Sequence, residues 1–291
     1  MIYFTLPNFF EYFAINQFFI DLNKKHPEYF KEKVVFKQVK GSFPYCSWSG
    51  YNSNFGQGAF YSDFEKCYKL SGLPIRFDFS NVLLEEFDFY DNMANTICSL
   101  NENGSNLISV ANIPLQEYLK NKYPNYNFIF SREADLITEF TPDILNTILD
   151  SNQFSLIELP YHWNKDVTML KQLHMKSKYE IVVNSLCPLS CKENYKCKIM
   201  EHQNQLDYSQ CSIFNNCFKA NKNYFKEMIS LEEIKQIYVP LGFSYFTFAP
   251  FQYGEYPSIV FDTYMNYFIK PECQRFVYAQ YYTPGGLNNE D

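Results

Sequence analysis

Short apolar runs alternate with longer amphipathic stretches along the chain. Eight of the runs are rich in β-branched or aromatic side chains and are bounded by turn-forming residues, which is typical of buried strands. They begin at Ile2, Val34, Ile75, Leu107, Asn127, Ser155, Tyr179 and Phe243. The spacing therefore predicts eight short strands separated by other elements.

The stretches between these runs carry helix signals. Proline stands at the first position of two of them, where its missing N–H costs nothing, and a cap by Ser80 or Asn81 is expected before a third. The predicted helices span Asp63–Ser71, Leu83–Leu100, Pro114–Lys122, Pro142–Leu149, Asn164–His174 and Leu231–Tyr238.

Eight strands, nearly all followed by helices, predict a closed (β/α)8 TIM-type barrel. An open, doubly wound sheet produces a similar string of elements and remains the alternative. The chain has 291 residues and no Ser/Gly/Pro-rich linker, so we expect one domain over residues 1–291. A cysteine-rich insertion over residues 185–220 is expected after the seventh strand.

Composition and charge narrow the functional classes. Hydrophobic residues make up 46% and charged residues 20%, which is enough apolar material for a packed core. The net charge is −7 and Lys/Arg runs are short, which disfavours an extended nucleic-acid surface or an anionic membrane partner. Pro7, Asn8 and Glu11 interrupt the first apolar stretch, so neither a signal peptide nor a membrane span is expected. We therefore expect a cytoplasmic protein.

Polar side chains follow several predicted strands. In a parallel barrel these positions converge on the carboxyl-terminal face, where active sites form. Glu158 and His162, at the end of the sixth strand, are candidate catalytic acid or base groups. Asn81, Asn112 and Asn184 are candidate substrate-binding groups, with helix caps or turns as the alternative role.

Five of the nine cysteines are concentrated directly after the seventh strand, with the spacing C-x3-C-x5-C-x13-C-x5-C. Clustered thiolates in a reducing compartment are typical ligands of an iron–sulfur cluster or of zinc. His202 lies inside the segment and could replace one of them. Buried free thiols, or disulfides in an exported protein, remain the alternatives. The candidate ligands are Cys187, Cys191, Cys197, Cys211 and Cys217.

Several other chemistries lack their motifs. No C-x2-C pair of a zinc ribbon is present, and Asn194 stands where a radical-SAM motif would have its third cysteine. No Walker loop and no G-x-S-x-G sequence occurs. A protease is disfavoured because no nucleophile–base pair is apparent.

Two segments resemble the collagenase-like peptidase family (peptidase family U-thirty-two). YEIVVNSLCPLSC delivers a first cysteine after a strand, and LEEIKQIYVPLGFSYFTFAP leads from a helix through Gly242 into a barrel strand. IRFDFSNVLLEEFD and LISVANIPLQEYLKNKYPNYNFIFS are similar to strand-and-loop segments of the same superfamily. The resemblance covers most of residues 34–251.

The resemblance implies a barrel and, for several members, a [4Fe–4S] cluster held by four cysteines. It also implies an oxygen-independent hydroxylation of a tRNA or rRNA base or of a quinone precursor. Cys187 matches the first cluster cysteine, although the first gap is shorter here than in the well-known members. The strand that usually carries Lys and Arg near its end reads FTFAPF in this chain, so the anion-binding pair of the family is not expected here.

These features favour a hydroxylase-like or related redox enzyme with a small-molecule or nucleobase-type substrate. Its cofactor would be an iron–sulfur cluster, with zinc as the alternative. The alternative function is a zinc-stapled binding or structural barrel without catalysis.

Overall fold

The computed structural model describes residues 1–42, 46–50, 72–184, 194–206, 228–251 and 256–283. Of Asn194, Cys197, Asn204 and Gln205 it describes the backbone alone. Eight parallel strands form a closed barrel in sequence order, with the first strand paired to the last. The (β/α)8 prediction is confirmed. The strands are β1 Ile2–Leu6, β2 Val34–Gly41, β3 Ile75–Phe79, β4 Leu107–Val110, β5 Asn127–Phe130, β6 Leu156–Glu158, β7 Tyr179–Val182 and β8 Tyr245–Thr247.

Every predicted strand is present, although the structure ends most of them earlier than the apolar run ends. The pairing of β1 with β2 shifts register between Phe4 and Thr5, where the ladder is irregular. The remaining strand pairs run in parallel without such a shift.

Nine helices surround the barrel in the described part of the chain. They are α1 Phe13–Lys25, α2 Asn92–Asn101, α3 Ile113–Lys122, α4 Pro142–Asp150, α5 Val167–Gln172, α6 Asn194–Leu206, α7 (the consecutive pieces Leu231–Glu233, Ile234–Tyr238 and Val239–Leu241), α8 Pro257–Phe268 and α9 Gln274–Tyr282. Short 3-10 turns lie at Pro27–Tyr29, Glu86–Tyr90, Arg132–Leu136, Tyr161–Trp163, Lys176–Lys178 and Pro271–Cys273.

Two predicted helices are wrong in their boundaries. The single helix over Leu83–Leu100 is instead a 3-10 turn followed by α2. Neither Ser80 nor Asn81 caps it, since Asp91 accepts the hydrogen bond from Ala94 N. The helix predicted from Asn164 starts at Val167, because the Asp166 side chain accepts from Thr168 N and Met169 N. The helix predicted over Asp63–Ser71 lies outside the described residues.

The helix predicted from Leu231 is longer than expected, and its middle turn is a π-helix, Ile234–Tyr238. Pro240 lacks the N–H that would bond to Gln236 O, and a widened turn accommodates that loss. Gly242 ends the helix with φ +106°, in the left-handed region that glycine adopts at little cost.

The main apolar core lies between the strands and the helices and is largely aromatic. Phe4 on β1 is fully buried, and its ring centroid lies 5.1 Å from that of Phe268 on α8 and 5.9 Å from that of Phe246 on β8. This aromatic packing covers the outside of the seam where the first and last strands meet. None of the helices in the described ranges combines the length and apolarity needed to cross a bilayer.

Candidate functional site

The interior of the barrel carries buried charges, where bulky aliphatic residues usually dominate. Lys40 on β2 contacts two carboxylates, with Nζ 3.0 Å from Asp78 Oδ2 and 2.8 Å from Glu158 Oε1. All three side chains are at least 96% buried. Burying ions costs several kcal/mol each unless they are paired, so these charges are held as a set.

Arg76 on β3 extends the set toward the opposite wall of the barrel. Its guanidinium contacts Glu158 and donates to Glu180 Oε2 at 2.7 Å. The Thr5 hydroxyl donates to the other oxygen of Glu180 at 2.6 Å, and Gln38 donates to Thr5 Oγ1 at 2.9 Å. The network thus joins strands β1, β2, β3, β6 and β7 across the interior.

Glu158 is the point at which the interior network meets the mouth of the barrel. Its second carboxylate oxygen accepts from Ser131 Oγ at 3.3 Å and from Arg132 N at 3.2 Å. Burial alone would raise the pKa of this carboxyl, but Lys40, Arg76 and Arg132 together hold it far below the usual range. Glu158 is therefore a fully paired carboxylate, and its predicted acid or base role stays a prediction.

The segment over Asn194–Leu206, here called the mouth helix, packs against the loops after β3 and β5. Asn81 Nδ2 donates to His202 O at 3.2 Å, and Val82 N donates to His202 Nδ1 at 3.3 Å. Lys198 Nζ lies 3.7 Å from Glu133 Oε1 in the turn after β5. The mouth helix is thereby attached to the carboxyl-terminal face of the barrel.

His202 is fully buried and faces this junction. Because Nδ1 accepts a hydrogen bond from Val82 N, a neutral ring carries its proton on Nε2. Nε2 lies 4.0 Å from Glu133 Oε2 and has no hydrogen-bond partner among the described residues. Burial lowers the pKa of His202 to about 4, although Glu133 acts in the opposite direction. The arrangement fits a neutral packing residue better than a metal ligand.

Gly50 permits this close packing. A Cβ at position 50 would lie 2.8 Å from His202 Nε2 and 2.8 Å from Ser80 O. A larger residue would push against the imidazole and against backbone, and backbone cannot yield as a flexible side chain can. The segment after β2, the loop after β3 and the mouth helix therefore fit together only with glycine here.

The three predicted substrate-binding asparagines all lie at strand ends but already have protein partners. Asn81 bonds to Ser47 O as well as to the mouth helix. Asn112 caps α3 by accepting from Leu115 N, and it donates to Leu84 O. Asn184 accepts from Ala249 N at 2.6 Å. The geometry favours the cap-and-turn alternative, and a substrate contact stays a prediction.

His162 is more accessible than Glu158. It lies in the 3-10 turn after β6 with 55% of its side chain exposed, and its Nδ1 is 3.7 Å from Asp135 Oδ2. Burial raises the pKa of the Asp135 carboxyl. His162 is thus the predicted catalytic group with a solvent-facing ring and a carboxylate behind it.

The candidate metal ligands Cys187, Cys191, Cys211 and Cys217 lie outside the described residues. Cys197 lies on the mouth helix. Among the residues that the structure describes, no group of three or more His, Cys, Asp or Glu could hold a metal ion. Cys46 and Cys98 are buried free thiols, and burial raises the pKa of Cys46 to about 12.

The sequence analysis did not single out the charged residues that form the interior network. Arg76 and Glu180 each lie within a predicted strand, and Lys40 directly follows another. Arg76 and Asp78 follow the period of two that puts both on one face. Charges with this spacing in a predicted buried strand could have indicated a polar barrel interior. Nothing local shows that Glu133 and His202 meet, because 69 positions separate them.

The barrel of this chain is similar to that of a known protein. No protein-family model matches the sequence, and no curated protein matches it significantly. Among solved structures, a U32 peptidase superposes with a TM-score of 0.54 over 87% of this chain and 94% of its own, at 12% identity. This chain has the fold of a U32 peptidase. At such low identity the likeness to the U32 peptidase concerns the barrel and carries no residue roles.

Proposed function

We propose that this chain is a barrel protein with a cysteine-ligated metal centre at its mouth. The centre would be an iron–sulfur cluster in a hydroxylase-like or related redox enzyme. The observation that carries the proposal is the seating of the mouth helix, which bears Cys197, against the loops after β3 and β5. Asn184, three residues before Cys187, is held at the end of β7 by its bond to Ala249 N. The described residues on either side of positions 185–193, Asn184 and the mouth helix, are therefore both held at the carboxyl-terminal face.

In the proposed centre, the groups that bind the soft metal come from the cysteine cluster. Cys46 and Cys98 are buried free thiols, and burial raises the pKa of both. His202 uses Nδ1 to accept from Val82 N, which leaves a protonated Nε2. The ligands would then come from the five cysteines between Cys187 and Cys217.

When bound, such a cluster would supply electron transfer or substrate activation. The residues of the chain would do the remaining work on a small-molecule or nucleobase-type substrate. His162 would accept or donate a proton at Nε2, with Asp135 orienting the ring from the Nδ1 side. Glu158 would keep Arg132 and Arg76 in place through its paired carboxylate.

The alternative is a zinc-stapled binding or structural barrel. It is favoured by the ample polar pairing at the mouth, where Asn81, Asn112 and Asn184 all bond to protein groups. Structural zinc contributes directly to folding, so its removal would unfold the segment that it ties together.

Anaerobic purification, followed by a visible spectrum and analysis for iron, zinc and labile sulfide, tests the proposal. We expect iron, sulfide and a broad absorbance at about 400 nm from cysteine-ligated iron. Cys197→Ser should lower the metal content, whereas Cys273→Ser, a free thiol outside the cluster, should leave it unchanged.

One zinc per chain and no colour would replace the redox proposal with the zinc-stapled alternative. No metal in any preparation, together with equal behaviour of the two serine variants, would overturn both.

A further inference from the structure

We infer that the mouth helix, Asn194–Leu206, is a lid that opens over the Arg132–Glu133 pair without unfolding of the barrel. This inference concerns the same end of the barrel as the proposed metal centre but does not depend on a metal. Opening would give a ligand access to the charged residues beneath, which are otherwise closed to solvent: Arg132 is 7% exposed and Glu133 is 5% exposed.

The first argument is the character of the contact. Among residues of the mouth helix whose side chains are described, only Glu201 and His202 are buried, and both are polar; Ile199 packs against the apolar core but is only half-buried. In α8, by contrast, seven side chains are buried and six of them are apolar or aromatic. Apolar burial gives most of the free energy that attaches a helix to a core, so the mouth helix is attached far more weakly than α8.

The second argument is the set of polar atoms that docking leaves poorly satisfied. His202 Nε2 has no hydrogen-bond partner among the described residues, and burial raises the pKa of the Glu201 carboxyl. Each such group regains water when the helix lifts, and this lowers the free energy of opening.

The third argument is that the docked position is nevertheless specific. Two residues of the loop after β3 bond to His202: Asn81 Nδ2 donates to its backbone oxygen, and Val82 N donates to its Nδ1. Gly50 packs against its ring. A weak but well-defined contact is what a lid requires, because its closed state is unique and its opening costs less than unfolding.

Hydrogen exchange of the full-length protein, read by mass spectrometry, tests the lid. We expect amides of residues 194–206 to exchange at least about tenfold faster than those of β3, β4 and β5, with protection still measurable. His202→Ala should accelerate exchange in the mouth helix about tenfold, by removing the contact with Val82, and leave the strands unchanged. His174→Ala, at an exposed histidine paired with Asp150, is the matched control and should change neither.

Gly50→Ala supplies a second, independent variant, since its Cβ would displace His202 from the opposite side. It too should accelerate exchange in the mouth helix, and also in the loop after β3 that it contacts at Ser80 O, and leave the strands unchanged. The lid is overturned if the mouth helix and the strands exchange at one common rate, or if both variants accelerate them in parallel. It is also overturned if the mouth helix shows no protection in the unmodified protein. Metal analysis of the same samples reports separately on the proposed centre.

Discussion

At the scale of single residues, Glu158 holds the barrel interior together electrostatically. Three cationic side chains, Lys40, Arg76 and Arg132, approach its two oxygens inside a low-dielectric interior. These partners hold the pKa of the buried carboxyl far below its usual range, so the group is ionised at neutral pH. It neutralises cations that would otherwise be costly to bury.

Glu158→Gln should therefore lower the free energy of unfolding by about 3–5 kcal/mol, because it leaves buried cations without their counter-charge. Urea denaturation at pH 7 measures this loss. Glu272→Gln, at an exposed glutamate, is the control and should change stability by less than about 0.5 kcal/mol. A Glu158→Gln protein as stable as the wild type would show that the network contributes little.

Because His202 is buried in the contact, we expect the docking of the mouth helix to depend on pH. Its pKa in the docked state is about 4, below the ordinary value of 6.5, so the undocked state binds the proton more readily. Docking is fully stabilised above pH 6.5 and weakens as pH falls toward 4. Between pH 7 and pH 5 the free energy of opening should fall by about 2 kcal/mol.

Hydrogen-exchange protection of residues 194–206, corrected for the intrinsic pH dependence of exchange, checks this at both pH values. His202→Gln lacks the titrating ring and should show a much smaller change. Equal pH dependence in the two proteins would mean that another group, such as Glu133 or Glu201, controls the contact.

At the scale of elements, a helix cap explains why Asn112 follows β4. Asn112 closes the first turn of α3 by accepting from Leu115 N, and its amide also donates to Leu84 O. A helix that begins directly at the end of a strand needs such a cap, since its first N–H groups have no partner within the helix.

Asn112→Ala should lower the free energy of unfolding by about 1–2 kcal/mol through loss of the cap. Thr141→Ala, at the cap of α4, is a matched variant and should cost a similar amount. Thermal melts followed by circular dichroism give both values. A substrate-binding asparagine without a structural role would leave the melting temperature unchanged.

At the scale of the whole molecule, the barrel depends on closure between its first and last strands. The register pairs Tyr3 with Tyr245 and Thr5 with Thr247, and Phe4 fills the space between this seam and α8. The ends of the chain thus contribute to one cooperative structure, in which the contacts with the longest sequence separation complete the fold.

Phe4→Ala should lower the free energy of unfolding by about 3–5 kcal/mol, because it removes a fully buried ring from a packed aromatic layer. Phe276→Ala removes the same ring where it is 63% exposed and should cost less than about 1 kcal/mol. Urea unfolding followed by both fluorescence and circular dichroism measures each loss. Separate transitions for the two probes would show that the seam is not part of one cooperative unit.

The architecture was predictable because each strand carries its own local signal. The runs from Ile75 and Tyr179 are buried on both faces, and the alternation with helices is typical of parallel barrels. Helix starts were less predictable. Asp91 caps α2 and Asp166 caps α5, whereas Ser80 and Asn81 also precede an apolar stretch and have the side chains of caps. The choice between such caps depends on how the loop packs over the barrel.

The sequence by itself determined the eight strands and the polar residues at their ends, because periodicity and composition act over a few neighbouring residues. It left a closed barrel and an open, doubly wound sheet as alternatives, and the pairing of β1 with β8 decided between them. Only the tertiary structure decided that Lys40, Arg76, Glu158 and Glu180 neutralise one another, since barrel closure brings strands from distant positions together. It likewise decided that His202 docks beside Glu133 and Gly50. Desolvation and steric fit depend on neighbours in space, and the local sequence pattern does not show which residues those are.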